Sequence, residues 1–201
     1  MLCVRPPRID LGSSVHPKKA ELGKRKFFFT KEIYIEETDF KENPDSDFFR
    51  LSPGKEVRLR NAYVIRCDEV KKDSSGKITE LICTYLPETK AGKPTADGRK
   101  IKGIVHWVSA TECVAAEVRL YGRLFSVADP ENTPDGKDFK QNLNPNSLTV
   151  ISNAKLEPGM AAANFEDRYQ FERVGYFCLD NKDSKPNQLV FNMTVDLATG
   201  H

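Results

Sequence analysis

Apolar side chains in this chain recur at every second residue, and no stretch of 12 or more residues carries the period of an amphipathic helix. Phe27, Phe29, Ile33 and Ile35 share one parity, and so do Val57, Leu59, Tyr63 and Ile65. Successive side chains of a strand point to opposite faces, so each set lines a buried face, with Arg58, Arg60 and Arg66 pointing away from the second. Runs rich in Val, Ile, Phe, Tyr and Thr at 78–85, 101–108, 118–127, 148–151, 169–179 and 189–197 read as further strands. Turn chemistry separates them: Asp73-Ser74-Ser75-Gly76 as a hairpin turn, with breaks at Asp97-Gly98, Asp135-Gly136 and Asn144-Pro145. Short helical turns are expected at 39–42, where Thr38 offers a cap, and at 161–167. About nine short strands predict an all-β fold. Strands this short enclose so little volume that 201 residues suit two small antiparallel barrels better than one.

Composition narrows the function classes. Lys and Arg number 31 against 29 Asp and Glu, a net charge of +2, so any polyanion site must come from segregated charge. No apolar run approaches the roughly 18 residues of a membrane span, and the opening MLCVRPPRID lacks the apolar stretch of a secretion signal. Cysteines stand at 3, 67, 83, 113 and 178, an odd count with no pair closer than 16 residues. That spacing speaks against a disulfide framework or a CxxC zinc site and fits free thiols in a reducing, cytoplasmic compartment. A monomer without a membrane partner is the expectation.

Catalytic chemistry is sparse. The histidines are His16, His106 and His201, and strand alternation makes His106 a hydrogen-bonded structural residue rather than a base. No His, Cys or carboxylate spacing suggests a metal. Phosphate-loop, dinucleotide and nucleophile-elbow motifs do not occur. The residues point to a binding module rather than an enzyme.

The charge is arranged in blocks. Residues 1–26 carry seven cations against two carboxylates, 27–49 two against seven, and 50–72 seven against three. Within the third block, Gly54-Lys55-Glu56-Val57-Arg58-Leu59-Arg60-Asn61 sets two arginines two residues apart, about 6.5–7 Å along one strand face. That is near the step between neighbouring nucleotides of RNA, and a guanidinium can fork onto a base edge or phosphate, or stack. Arg50 follows Phe48 and Phe49, an aromatic platform beside a fork of donors, which is a common way to hold unstacked bases. A second cluster, Arg168-Tyr169-Gln170-Phe171-Glu172-Arg173, adds an amide and two guanidiniums. Gln170 and Arg173 differ by three, so a regular strand separates them onto opposite faces. They meet one ligand only if the backbone bulges or turns, with Gly175 a candidate for the irregularity. On the residues alone, an RNA strand, acidic groups of a neighbouring strand and a protein partner all remain open.

Four segments carry a resemblance. GKEVRLRNAYVI (54–65), DGRKIKGIVHWVSA (97–110), EVRLYGRLFSV (117–127) and QFERVGYFCLD (170–180) resemble, in order, the C-terminal anticodon-binding region of the glutaminyl-tRNA synthetase family of class I aminoacyl-tRNA synthetases. The similarity runs from about His16 to about Leu197. It implies two β-barrels of the ribosomal L25-like kind: a proximal barrel from 16–50 and 140–201, a distal barrel from 51–139, and residues 1–15 as an arm or linker. It implies that Arg50 faces the third anticodon base, that Arg58 and Arg60 hold the first base and its phosphates, and that Gln170 and Arg173 read the middle uridine. Lys18 aligns with a polar position that approaches the loop. A further family arginine for the middle base lies upstream of the aligned region. Bacterial relatives often carry Gln and Lys just before the Arg50 position, whereas Asp47 and Phe49 stand here, so local phosphate contacts are expected to differ. The implied partners are the anticodon loop of tRNA-Gln and the catalytic domain of the same polypeptide. HIGH and KMSKS signatures do not occur in the chain. No cofactor is expected in it, and ATP with magnesium is expected on the catalytic domain. A stand-alone L25-like binder of structured RNA and a glutamyl-type anticodon-binding domain are the alternatives.

Overall fold

The computed structural model describes residues 1–4, 8–16, 18–133 and 136–197. Arg5 of the first basic block, Pro17, Asp135 of the expected turn and His201 lie outside the described residues. Strand makes up 43% against 12% helix in strongly curled sheets that form half-barrels, so the expected all-β class is borne out. By internal contacts the chain divides into two units, Met1–Val114 with Lys155–Met160, and Ala115–Ala154 with Ala161–His201.

The first unit holds β1 (Leu2–Cys3), β2 (Ile9–Ser14), β3 (Lys24–Phe29), β4 (Glu32–Tyr34), β5 (Glu56–Leu59), β6 (Val64–Lys72), β7 (Ile78–Leu86), β8 (Ile104–Val105) and β9 (Val108–Ser109). Seven of these form one sheet in the order β8-β5-β6-β7-β1-β4-β9, and β2 pairs with β3 alone. The alternation that marked the strands marks the core. Val57, Leu59 and Ile65 are fully buried, Tyr63 nearly so, and Phe29 lies among Tyr63, Tyr85 and Trp107. Asp73 receives the amides of Ser75 and Lys77 on its carboxylate, and Gly76 takes φ 84°, so the expected β6–β7 hairpin turn forms. Opposite each other across that hairpin stand Cys67 and Cys83.

The second unit takes most of β10 (Val114–Tyr121) and β11 (Leu148–Leu156), with β12 (Tyr169–Phe171), β13 (Gly175–Leu179) and β14 (Leu189–Asp196). They form a five-stranded sheet in the order β11-β10-β14-β13-β12. Phe177 and Phe191 are its fully buried aromatics, and Phe171 stacks on Phe177 at 4.2 Å between centroids.

Several expectations need correction. Of residues 1–15, expected as an arm or linker, the described ones are built into the fold: Leu2 pairs with Ile33 on one side and Leu81 on the other, Leu2 and Val4 are fully buried, and Ile9–Ser14 zips along β3. Their core contacts, far away in sequence, place them in the first unit. The units also part at 114–115, 154–155 and 160–161 rather than at the expected 50–51 and 139–140 boundaries. The sheets are not purely antiparallel, since β1–β7, β5–β8 and β10–β14 are parallel pairs. The 118–127 run leaves strand after Tyr121, and 101–108 yields Ile104–Val105 and, at Val108, the start of β9, with irregular backbone around them. The helical turns fall at Glu37–Asp39, without a side-chain cap, and Pro158–Ala162. Thr38 sits inside the first of these, where it cannot serve as N-cap.

Candidate nucleic-acid interface

The expected site residues fall into two groups, one in each unit. In the first unit, Arg58 sits within β5, whose amide at that position donates to the Gly103 carbonyl at 3.0 Å. Its side chain is already engaged: Nη1 donates to the Thr89 carbonyl at 3.2 Å and Nη2 to the Lys93 carbonyl at 3.0 Å. Both partners are neutral main-chain oxygens, so the guanidinium keeps its full charge, and a guanidinium has five N–H donors. The arginine thus braces the turn that follows β7 and leaves donors over.

Arg60 lies one residue beyond the end of β5, so the two-residue strand spacing does not carry over to it. It occupies the β5–β6 turn, where Asn61 adopts φ 57°. Its amide donates to Val105 at 2.9 Å and its carbonyl accepts from Trp107 Nε1 at 3.0 Å, which fixes the backbone while the residue as a whole stays exposed.

Arg50 is tied to the Glu37–Asp39 turn. Its Nη1 donates to the Thr38 carbonyl at 3.0 Å and lies 3.4 Å from the fully buried carboxylate of Asp39. The Arg50 side chain remains 40% exposed, so the buried carboxylate orients it without enclosing it. Lys18 is exposed, and its amide donates to His16 Nδ1 at 3.1 Å. Phe49 is exposed too, whereas Phe48 is half-buried.

One cation near this group escaped the sequence reading. Lys102 places its Nζ 4.8 Å from the centroid of the Phe49 ring. The loop that carries it is fixed by Arg99, which forks onto Glu56 at 2.6 and 2.9 Å. Asp97 in the same loop is held down at about 2 by hydrogen bonds from Thr95 and Arg99. A strand reading of 101–108 hides Lys102 among alternating residues, and the proline-free glycine at 103 was the only local sign of a close approach.

In the second unit, Gln170 is the exposed residue of β12 between Tyr169 and Phe171, whose rings pack on Phe191 and Phe177. Its partner in register is Tyr176 of β13. The backbone does turn between Gln170 and Arg173, at Arg173 itself rather than at Gly175. Val174 donates to Phe171 at 3.0 Å and Arg173 takes φ 63°, the left-handed value of the third residue of a type II turn. Gly175 has another role, since a Cβ there would stand 2.6 Å from the Val195 carbonyl. Arg168, of the same cluster, turns its Nη1 onto the carbonyls of Phe165, Glu166 and Asp167.

His106 is structural, as expected. Its Nε2 lies 3.4 Å from Glu157 Oε1, and Arg25 pairs with the other oxygen of the same carboxylate. No group of three His, Cys, Asp or Glu residues suited to a metal occurs among the described residues. No helix among them is long and apolar enough to cross a membrane.

The chain matches two family models, both described as tRNA synthetases class I (E and Q), anti-codon binding domain, over residues 6–86 and 104–180. Curated relatives named glutamine--tRNA ligase are 54% identical over 182 residues in Pseudomonas syringae pv. tomato and 54% over 185 in Haemophilus influenzae, covering 90% and 92% of this chain. A glutamine--tRNA ligase of Cupriavidus necator is 52% identical over 188 residues, 94% of this chain. The chain spans about a third of the length of these relatives, 32% in each. Two models of one description, taking in most of the sequence on an all-β fold with exposed guanidinium groups, place the chain in the anticodon-binding domains of the class I (E and Q) tRNA synthetases.

Proposed function

We propose that the chain grips the anticodon loop of tRNA-Gln and so directs glutamine attachment by a catalytic part of the same polypeptide. In this reading Lys18, Arg50, Arg58 and Arg60 draw in the phosphates, with Arg50 meeting the third base and Arg58 and Arg60 the first. Gln170 and Arg173 meet the middle uridine, whose Watson–Crick edge needs both a donor and an acceptor, as an amide supplies. The whole protein is then a monomeric cytoplasmic glutamine--tRNA ligase that holds ATP with magnesium outside this chain. The observation that carries the reading is the bracing of Arg50 and Arg58 by main-chain carbonyls. Such bracing fixes a planar donor group in advance and lowers the entropy lost on binding. Because the family models describe E and Q enzymes together, a glutamate-specific parent is the second reading.

The test is titration of the 201-residue chain with anticodon stem-loops carrying CUG or UUG, their single-base variants, and the glutamate anticodons. A wrong base is expected to cost about 1–3 kcal/mol. Gln170→Ala should flatten preference at the middle position alone. Equal affinity for all anticodons would leave a general binder of structured RNA, and preference for glutamate anticodons would select the second reading.

A further inference from the structure

Phe49 presents an unusual surface. The residue is 51% exposed although its carbonyl packs against the Gly103 backbone. The Gly103 backbone runs so close that a Cβ there would lie 1.8 Å from the Phe49 carbonyl oxygen and 3.0 Å from Val57 Cγ2. Phe49 is therefore not on a loose loop. Its carbonyl packs against Gly103 of the 97–103 loop, and that loop is tied to β5 by the Arg58 amide on the Gly103 carbonyl and by Arg99 on Glu56. The same loop brings the Lys102 ammonium to 4.8 Å from the ring centroid, and the next residue in the chain is Arg50.

An exposed, rigidly mounted aromatic ring with cations beside it matches the chemistry of an unstacked nucleotide. The ring offers a flat apolar face to the base, and the ammonium offers a charge to its phosphate. We propose that Phe49 and Lys102 form a stacking subsite for one unpaired base of the RNA loop, with the phosphate of that nucleotide or its neighbour on Lys102. Acidic peptides fit less well, because a carboxylate side chain meets the ammonium of Lys102 but offers no flat face to stack on the Phe49 ring. This inference rests on the anticodon-loop reading.

The experiment uses the 201-residue chain and the CUG stem-loop, with wild type, Phe49→Ala, Phe49→Leu, Phe49→Tyr, Lys102→Gln and Arg50→Ala compared at several salt concentrations. Thermal unfolding of each variant serves as the folding control. Stacking requires a flat ring, so Phe49→Ala and Phe49→Leu should both weaken binding by roughly tenfold, with Phe49→Tyr near wild type. Lys102→Gln should lower the slope of log affinity against log salt by about 0.7. An abasic substitution at one loop position should weaken wild type and leave Phe49→Ala indifferent. If Arg50→Ala loses affinity while Phe49→Ala and Phe49→Leu bind within twofold of wild type, the stacking subsite is overturned and the anticodon-loop reading stands. A wild-type chain that does not bind the stem-loop overturns both.

Discussion

Arg58 Nη1 donates to the carbonyl of Thr89 at 3.2 Å, which ties an arginine of β5 to the turn that follows the β6–β7 hairpin. A second bond from Nη2 to Lys93 makes the contact a clamp across two carbonyls. Lysine keeps the charge but has a single nitrogen and cannot span both. Arg58→Lys is expected to retain the salt slope of RNA binding while amide exchange speeds up across 87–93. Arg58→Ala should speed the same amides and also flatten the slope by about 0.7. Unchanged exchange in both variants would show that the clamp does not hold in solution.

Beneath that clamp the Thr89 hydroxyl is fully buried. It accepts from the Val64 amide at 2.8 Å and donates to the Leu86 carbonyl at 2.6 Å. Val64 is itself fully buried, so water cannot replace the lost partner. Thr89→Val is nearly isosteric and strands a buried N–H, and it should cost about 1–3 kcal/mol in urea denaturation. Thr89→Ser should recover most of that.

Two glycines separate space from backbone strain. Gly54 takes φ 70° with nothing within 4 Å of a built Cβ, so Gly54→Ala meets only the left-handed penalty of about 1–2 kcal/mol. At Gly103 a Cβ collides with the main chain of Phe49, which has no rotamer to move away. Gly103→Ala should therefore destabilise by more than Gly54→Ala, about 3 kcal/mol or beyond, and should alter the environment of the Phe49 ring in NMR spectra.

How far the sequence could be read follows from which contacts are local. Alternation at Val57, Leu59, Tyr63 and Ile65 names a buried face because strand period and burial share one cause, and all four are in the core. Leu2 and Val4 gave no such signal: two or three residues cannot show a period, and their partners are distant in sequence, Ile33 and Leu81 for Leu2 and the Lys31 carbonyl for the Val4 amide. The 169–179 run looked continuous because nothing in the composition of Glu172-Arg173 announces a turn that usually takes Gly or Asn. Arg58 could be placed on a strand face, but not its engagement with Thr89 and Lys93, which are 31 and 35 residues away. Lys102 was invisible for a similar reason, since its partner Phe49 belongs to a distant segment.

Arg173 is a residue with a side chain where the backbone favours none. Its φ of 63° costs about 1–2 kcal/mol relative to glycine, and strain of this kind concentrates where a side chain has work to do. Arg173→Gly is expected to unfold no more easily than wild type while its affinity for the stem-loop falls. A clear loss of stability instead would make the side chain a structural strut and remove it from the proposed base readers.

The acid response of the first unit should centre on Glu157. Burial alone would push its carboxyl up, but hydrogen bonds with His106 and Arg25 overcome burial and hold it below the ordinary 4.5. A carboxyl lowered in the folded state adds stability that is fully present above its unfolded value and fades as pH falls through its folded value. Glu157→Gln keeps the shape and removes the titration. It should cost about 1–2 kcal/mol at pH 7, with the gap to wild type narrowing as pH drops below about 4.5 and closing as it falls through the lowered folded value. Urea midpoints of both proteins across that range check the sign. A gap that stays constant from pH 7 to pH 3 would mean that the contacts of Glu157 with His106 and Arg25 owe nothing to its charge.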